Sequence, residues 1–368
     1  MKKFFFSLIV LTLAVACGQD KFVVKGTLAE GATFPENALV CLYDGDTVLD
    51  SAAVVDGTFQ LKAPANPEKF YRIAAKYDRA PRDFAWSFGV IPEKGTFPVT
   101  FAPKASECAI ENSALNKAFN DFNVHIRDLF DEYRQKILPL GNSASEEAEQ
   151  LYDQTMEKVK TFCLETVGKN ADNYIGKNAL QNIIYDLPLD ELKSVLAKCG
   201  KFIRDDESIA RILSCKEAEI ATAEGQPFID FAGKTPEGAD VKLSDYVGKG
   251  KWVLTDFWAS WCGPCMREIP NIKRVFETYE GDDFMVLGVA VWDADDEGTN
   301  KKSQAQMEKM DMQWHQIFVG DDKGPTDAYG ILGIPTMILF APDGTIYKRG
   351  EELRGESMMT SVAEALGK

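Results

Sequence analysis

Cys262 and Cys265 stand two residues apart, on either side of Gly263-Pro264. Thiols at that spacing can close into a disulfide and open again, exchanging two electrons with another thiol–disulfide pair. Residues 251–258 read as a buried strand, and Ile269, Ile272, Val275, Phe276 and Tyr279 recur at helical spacing over residues 266–279. The pair is therefore expected where a strand gives way to a helix, a place where unpaired backbone N–H groups favour a thiolate. Metal binding is the competing use, and it needs two further ligands. The nearest upstream cysteine is Cys215, the only histidines are His125 and His315, and no second Cys-x-x-Cys occurs. Haem attachment would need histidine after Cys265, where Met266 stands. No metal or added cofactor is expected; the Cys262–Cys265 pair is itself the redox group.

Two acids flank the thiols. Asp256 sits among the apolar residues Leu254, Phe257 and Trp258, where loss of water should raise its pKa toward the range useful for proton transfer. Glu268 follows Cys265 by one helical turn. If both lie near the thiols, all four groups titrate as one system. The alternative for Glu268 is a first-turn acid in solvent, stabilising the helix dipole.

Further along, Gly333-Ile334-Pro335-Thr336 opens the apolar run at residues 337–340, which ends in the turn Pro342-Asp343-Gly344. With Asp256-Phe257-Trp258 and Trp261-Cys262-Gly263-Pro264-Cys265, these residues make the region from about Gly225 onward resemble a thioredoxin-fold domain. The closer resemblance is to the TlpA/ResA group of extracytoplasmic thiol-disulfide oxidoreductases. It implies a cis Pro335 that sets the Ile334 backbone beside Cys262 to pair with an incoming peptide, with Trp261 also in the substrate-binding set. An ordinary trans proline at an edge strand is the alternative. The resemblance also makes Asp256 the buried aspartate of thioredoxins and Glu268 the glutamate that TlpA/ResA members carry. Residues 226–228 and 243–246 resemble the opening strand and short helix of such domains. Residues 284–291 read as a second buried strand, and residues 302–312 and 315–319 match the helix and strand that TlpA/ResA members insert. Asp293, Asp295, Asp296 and Glu297 read as a solvated acidic loop.

At the other end, Met1-Lys2-Lys3, an apolar run over residues 4–16 and Ala14-Val15-Ala16-Cys17 read as a signal peptide of residues 1–16 followed by a lipidated Cys17. Ala14 stands where a lipobox usually has leucine. A non-lipidated signal peptide is the alternative. Five cysteines remain, at 41, 108, 163, 199 and 215, with no framework spacing. They read as small buried hydrophobes, and a Cys199–Cys215 pair stays open.

The chain has 368 residues and 45% hydrophobic content, more than one domain needs. Short strands and Asp-Gly turns over residues 21–103 predict a β-sandwich. Gly26-Thr27-Leu28 and Asp56-Gly57-Thr58-Phe59 resemble the β-domain of unknown function found before exported TlpA-like domains. Amphipathic stripes such as Leu115, Phe119, Phe122, Ile126 and Leu129 predict a helical segment over residues 104–220. The α/β thioredoxin fold with its insertion then occupies residues 224–368. A net charge of −16 argues against nucleic acid as a partner.

The expected function is thus reduction of disulfides in envelope proteins by a periplasm-facing lipoprotein. Cys262 attacks, Cys265 resolves, and Asp256 and Glu268 manage protons. By resemblance, a membrane thiol-reductant carrier supplies electrons and apocytochrome c is one client. Two alternatives remain. A peroxiredoxin-like peroxidase would carry Pro and Thr where Thr255 and Ala259 stand. An envelope binding lipoprotein would use the thioredoxin domain as a scaffold.

Overall fold

The computed structural model describes residues 20–76, 86–140, 145–294 and 300–368. Cys17 and the expected signal peptide lie outside the described residues, as do Asp295, Asp296 and Glu297. The chain divides into two compact units. Residues up to Asp186 together with Ser194–Asp205 form one, and Leu187–Lys193 with Asp206–Lys368 form the other.

The first unit begins with β1 (Lys21–Leu28), β2 (Leu39–Asp44), β3 (Thr47–Ala53), β4 (Thr58–Pro64), β5 (Tyr71–Lys76), β6 (Ser87–Val90), β7 (Gly95–Phe101) and β8 (Ala109–Ile110). They form two four-stranded sheets, ordered β4-β1-β7-β8 and β3-β2-β5-β6. Alternation along each strand sends one set of side chains inward. Phe22, Val24, Val40, Leu42, Leu61 and Ile73 from both sheets share one core. Pro92, Gly95 and Pro98 interrupt the strand pattern around β6 and β7.

Helices follow: α1 (Ala114–Ile137), α2 (Glu146–Lys169), α3 (Tyr174–Gln181), α4 (Leu189–Leu196), α5 (Lys201–Arg204) and α6 (Glu207–Ala221). Ser113, Ser145, Asn173 and Asp206 cap α1, α2, α3 and α6 by accepting backbone N–H groups. The helical stretch does not make a body of its own. α1 to α3 belong to the first unit, where Phe70 stacks on Tyr174 and meets Phe119, and α6 belongs to the second. All five remaining cysteines are free thiols, Cys199 and Cys215 included.

The second unit adds β9 (Ala232–Lys234), β10 (Asp240–Lys242), β11 (Trp252–Trp258), α7 (Gly263–Tyr279), β12 (Phe284–Val291), α8 (Lys301–Lys309), β13 (His315–Gly320), α9 (Gly324–Ala328), β14 (Thr336–Phe340), β15 (Ile346–Arg349) and α10 (Ser357–Ala365). One sheet runs β10-β9-β13-β12-β11-β14-β15, with β11 parallel to β12 and antiparallel to β14. β11 and β12 are nearly continuous apolar runs because both their faces are covered. Leu254 and Trp258 pack with Ile269 and Ile272 of α7 and Met358 and Val362 of α10. Val253 and Phe257 face the opposite layer with Tyr329 and Leu243. Residues 226–228 are not a strand: Pro227 forms a single bridge with Thr345, since a proline has no N–H to extend the ladder.

One close approach locks the neighbouring strands β11, β12 and β13 together. Gly288 of β12 lies beneath Gln316, and a Cβ there would fall 2.1 Å from Gln316 Oε1. That oxygen accepts from Trp258 Nε1 at 3.0 Å. Gly288→Ala should therefore displace the amide, break the buried bond and destabilise the chain by about 1–3 kcal/mol. Chemical denaturation monitored by tryptophan fluorescence checks this; an unchanged midpoint would mean the amide moves aside freely.

Candidate active site

β11 ends at Trp258, and the turn Ala259–Trp261 delivers Cys262 to the N-cap of α7. The two cysteines are joined in a disulfide, with Cα atoms 5.3 Å apart. Pro264 stands in the first turn, where its missing N–H costs no hydrogen bond. Cys262 Sγ accepts from the Cys265 N–H at 3.1 Å. The capping sulfur thus lies at the positive end of the helix dipole, which stabilises a thiolate once the disulfide opens. Cys262 is 3% exposed and Cys265 not at all, so both are largely covered and only the first meets solvent.

The Ile334–Pro335 bond is cis, and the Ile334 carbonyl oxygen lies 3.7 Å from Cys262 Sγ. Trp261 stands on the rim, 63% exposed, with its indole N–H donating to the Trp292 carbonyl at 2.9 Å. The structure thus gathers Trp261, Cys262 and Ile334-Pro335 from elements far apart in sequence.

Asp256 lies on β11 opposite Gly288 on one side and Met337 on the other. Strand alternation puts it on the face of Leu254 and Trp258, the face that packs against α7 and both cysteines. It is 1% exposed, and its Oδ1 has no hydrogen-bond partner. Desolvation, and then the charge of Glu268, push its pKa up to about 8. Glu268 does not sit in the first turn, because α7 already starts at Gly263. Its carboxylate is 14% exposed rather than solvated, facing Arg354 at 3.9 Å. Glu268 Oε2 accepts from the Gly355 N–H at 3.0 Å and from Asn271 Nδ2 at 3.1 Å. The two acids therefore differ: Glu268 is held by donors, whereas Asp256 has an oxygen with none.

Asp293 was expected in solvent but is buried, accepting hydrogen bonds from Ser260 and Ser303. The register Trp258↔Ala290 brings the ends of two parallel strands together, so Ser260 and Asp293 meet just beyond them. Adjacent parallel strands are the signal that could have found this contact. Arg354 and Gly355, which hold Glu268, carry no comparable signal.

The sheet, the covered disulfide at a helix start and the cis proline facing it define a thioredoxin-like thiol–disulfide site. The family models and sequence relatives agree. The AhpC/TSA family model matches residues 225–349, and a domain of unknown function, DUF4369, matches residues 17–119. The thioredoxin-like protein YneN of Bacillus subtilis is 33% identical over 128 residues, 35% of this chain and 71% of its own length. The thiol-disulfide oxidoreductase ResA of Bacillus thuringiensis is 29% identical over 155 residues, 42% of this chain and 81% of its own. The thioredoxin domain of a thiol-disulfide oxidoreductase from Bacteroides vulgatus is 28% identical, covers 39% of this chain and 96% of its own, and has a TM-score of 0.35. This chain belongs to the ResA/TlpA-type thiol-disulfide oxidoreductases of the thioredoxin-like superfamily, with a DUF4369 domain at its N-terminal side.

Asp256 gives a pH signature. In the unfolded chain it loses its proton near 3.8 and in the folded chain near 8, so between those values the folded state holds one proton more. Stability then falls as pH rises through that window. Asp256→Asn lacks this decline. Its stability relative to the parent should grow by a few kcal/mol between about pH 5 and pH 9, since one pKa unit is about 1.4 kcal/mol. Denaturation curves across pH would show it, and a pH-independent difference would contradict the raised pKa.

Proposed function

We propose that this chain reduces disulfides of envelope proteins with the Cys262–Cys265 dithiol, using no added cofactor. The observation that carries this reading is the Cys262 sulfur capping α7 beside the Ile334 carbonyl, with Asp256, whose Oδ1 lacks a partner, on the packed face behind it. In the reduced chain, the Cys262 thiolate attacks one sulfur of the client disulfide. A mixed disulfide forms and the other client sulfur leaves as thiolate. Once Asp256 is ionised, which its raised pKa delays to about 8, its carboxylate takes the proton of the Cys265 thiol, and the resulting thiolate attacks Cys262, closing the protein disulfide and releasing the second client sulfur. Two electrons pass to the client, and its two thiolates take up two protons, one of them from Asp256. Glu268, fixed by Gly355, Asn271 and Arg354, acts through its charge on Asp256.

A client chain lies along Trp261 and pairs with the Ile334 backbone next to Pro335. A membrane thiol-reductant carrier returns the electrons, and apocytochrome c is one client that the family resemblance offers. Lipidation of Cys17 after removal of residues 1–16 anchors the protein to a membrane on the periplasmic side. No helix among the described residues is long and apolar enough to cross one. We read the two packed sheets of the first unit as a β-sandwich, and α8 with β13 as the TlpA/ResA-type insertion. The peroxidase alternative is disfavoured because Thr255 and Ala259 stand where it needs proline and threonine.

Trapping tests the roles of the cysteines. Cys265→Ser should accumulate disulfide-linked adducts with envelope proteins on non-reducing gels, and Cys262→Ser should not. Adducts through Cys265 alone would reverse the assignment. For the acids, Glu268→Gln removes a charge that raises Asp256. The rising limb of the pH–rate profile should move to lower pH by about half a unit to one unit. Stopped-flow reduction of a small disulfide across pH measures this, and an unmoved profile would leave Glu268 a structural partner of Arg354 and Gly355.

A further inference from the structure

Just past β12, Trp292 and Asp293 grip the two residues that precede Cys262. Asp293 is 3% exposed. Its Oδ2 accepts from the Ser260 N–H at 2.7 Å and from Ser303 Oγ of α8 at 2.7 Å, and its Oδ1 accepts from Ser260 Oγ at 2.8 Å. Next to it, the Trp292 carbonyl accepts the Trp261 indole N–H. Trp292 has a φ of +53°, a left-handed conformation that a bulky side chain rarely adopts. Consecutive groups of one loop thereby hold consecutive residues of the other.

A carboxylate taken out of water is unfavourable unless donors replace the lost hydration. Here the donors come from the catalytic turn and from α8, so one carboxylate joins the exit of β12, the Cys262 turn and the helix beyond it. Ser260 is bound through both backbone and side chain, which fixes the turn. Trp261 is largely exposed yet held at its ring nitrogen, which makes it a rigid apolar plate beside Cys262. Across the sulfur, the Ile334 carbonyl offers a backbone acceptor. A plate and an acceptor on either side of a thiol suit an extended polypeptide carrying a disulfide. They add nothing to the capture of a small disulfide that touches only the sulfur.

We propose that Asp293 is a positioning residue for polypeptide capture: it fixes Ser260 and, with the Trp292 carbonyl, the Trp261 indole, so that a client segment seats between that ring and the Ile334 carbonyl. This rests on the reading of Cys262 as the attacking sulfur. Asp293 contributes to holding the client rather than to the exchange of electrons.

Reduction of insulin by the full chain, with dithiothreitol as reductant, tests it. Asp293→Ala should raise KM for insulin about tenfold and change kcat by less than about threefold, the pattern of lost uniform binding after removal of charge-assisted hydrogen bonds. The Trp261 indole N–H signal should lose protection from solvent exchange. Asp293→Asn, which keeps an acceptor for the Ser260 N–H, should recover most of the KM. A fall in kcat at unchanged KM would overturn the proposal by placing Asp293 in the chemistry, and unchanged kinetics would overturn it outright. If Asp293→Ala does not fold, Ser260→Ala decides: it deletes one of the three bonds and should raise KM by about twofold or more, and an unchanged KM would overturn the proposal. Insulin reduction retained in Cys262→Ser would instead sink the assignment of the attacking sulfur, independently of Asp293.

Discussion

A carboxyl group with an unpaired oxygen inside the sheet is the constraint around which the catalytic unit is arranged. β11 is a central strand with both faces covered, and every residue from Val253 to Trp258 is buried. An acid at position 256 loses its water and, on one oxygen, finds no substitute. It stays neutral until alkaline pH because ionising it there is costly. Such a group disturbs packing less than a charge would, and only its ionised form, above about pH 8, could take a proton from a neighbour on its own face. The cysteines share that face, so the placement of α7 over β11 decides whether the acid is a liability or a reagent.

The remaining parts of the site come from the neighbours of β11 in the sheet. Its parallel neighbour β12 ends level with it and contributes Trp292 and Asp293. Its antiparallel neighbour β14 is entered through Ile334-Pro335 from the same end. Ligand sites of open α/β sheets form at the carboxyl ends of parallel strands, and here loops from both sides meet the start of α7. The cysteine pair is thus bracketed by adjacent strands and does not depend on a long mobile loop for its position.

Much of this was legible in the residues themselves. The strand before Cys262 and the helix after it follow from an apolar run and a helical stripe, and β12 could be bounded for the same reason. Burial of Asp256 followed from its apolar neighbours. What the sequence did not disclose were contacts set by register and by glycine geometry. Asp293 looks like the first of a run of loop acids, and only the pairing of Trp258 with Ala290 brings it under the catalytic turn. Glu268 looks like a helix-start acid, and only the turn at Gly355, with its positive φ, aims an N–H at it. In the first unit, prolines and glycines hid β6 and β7, which exist because neighbouring strands pair with them. The helices of residues 114–221 showed their stripes but not which body each would join.

The five free thiols among the described residues bear on how this protein survives its own chemistry. Cys41, Cys163, Cys199 and Cys215 are buried, and Cys108 is partly so. Burial raises the pKa of Cys108, Cys199 and Cys215 and pushes Cys163 up to about 12. Attack on a disulfide requires the thiolate and access to it. In the folded chain burial denies access to Cys41, Cys163, Cys199 and Cys215 and disfavours the thiolate of Cys108, which sets the Cys262–Cys265 pair apart from them. Unfolding would remove that insulation at a stroke, turning spectators into competitors for the same disulfide and making correct folding the condition for a single, directed redox circuit.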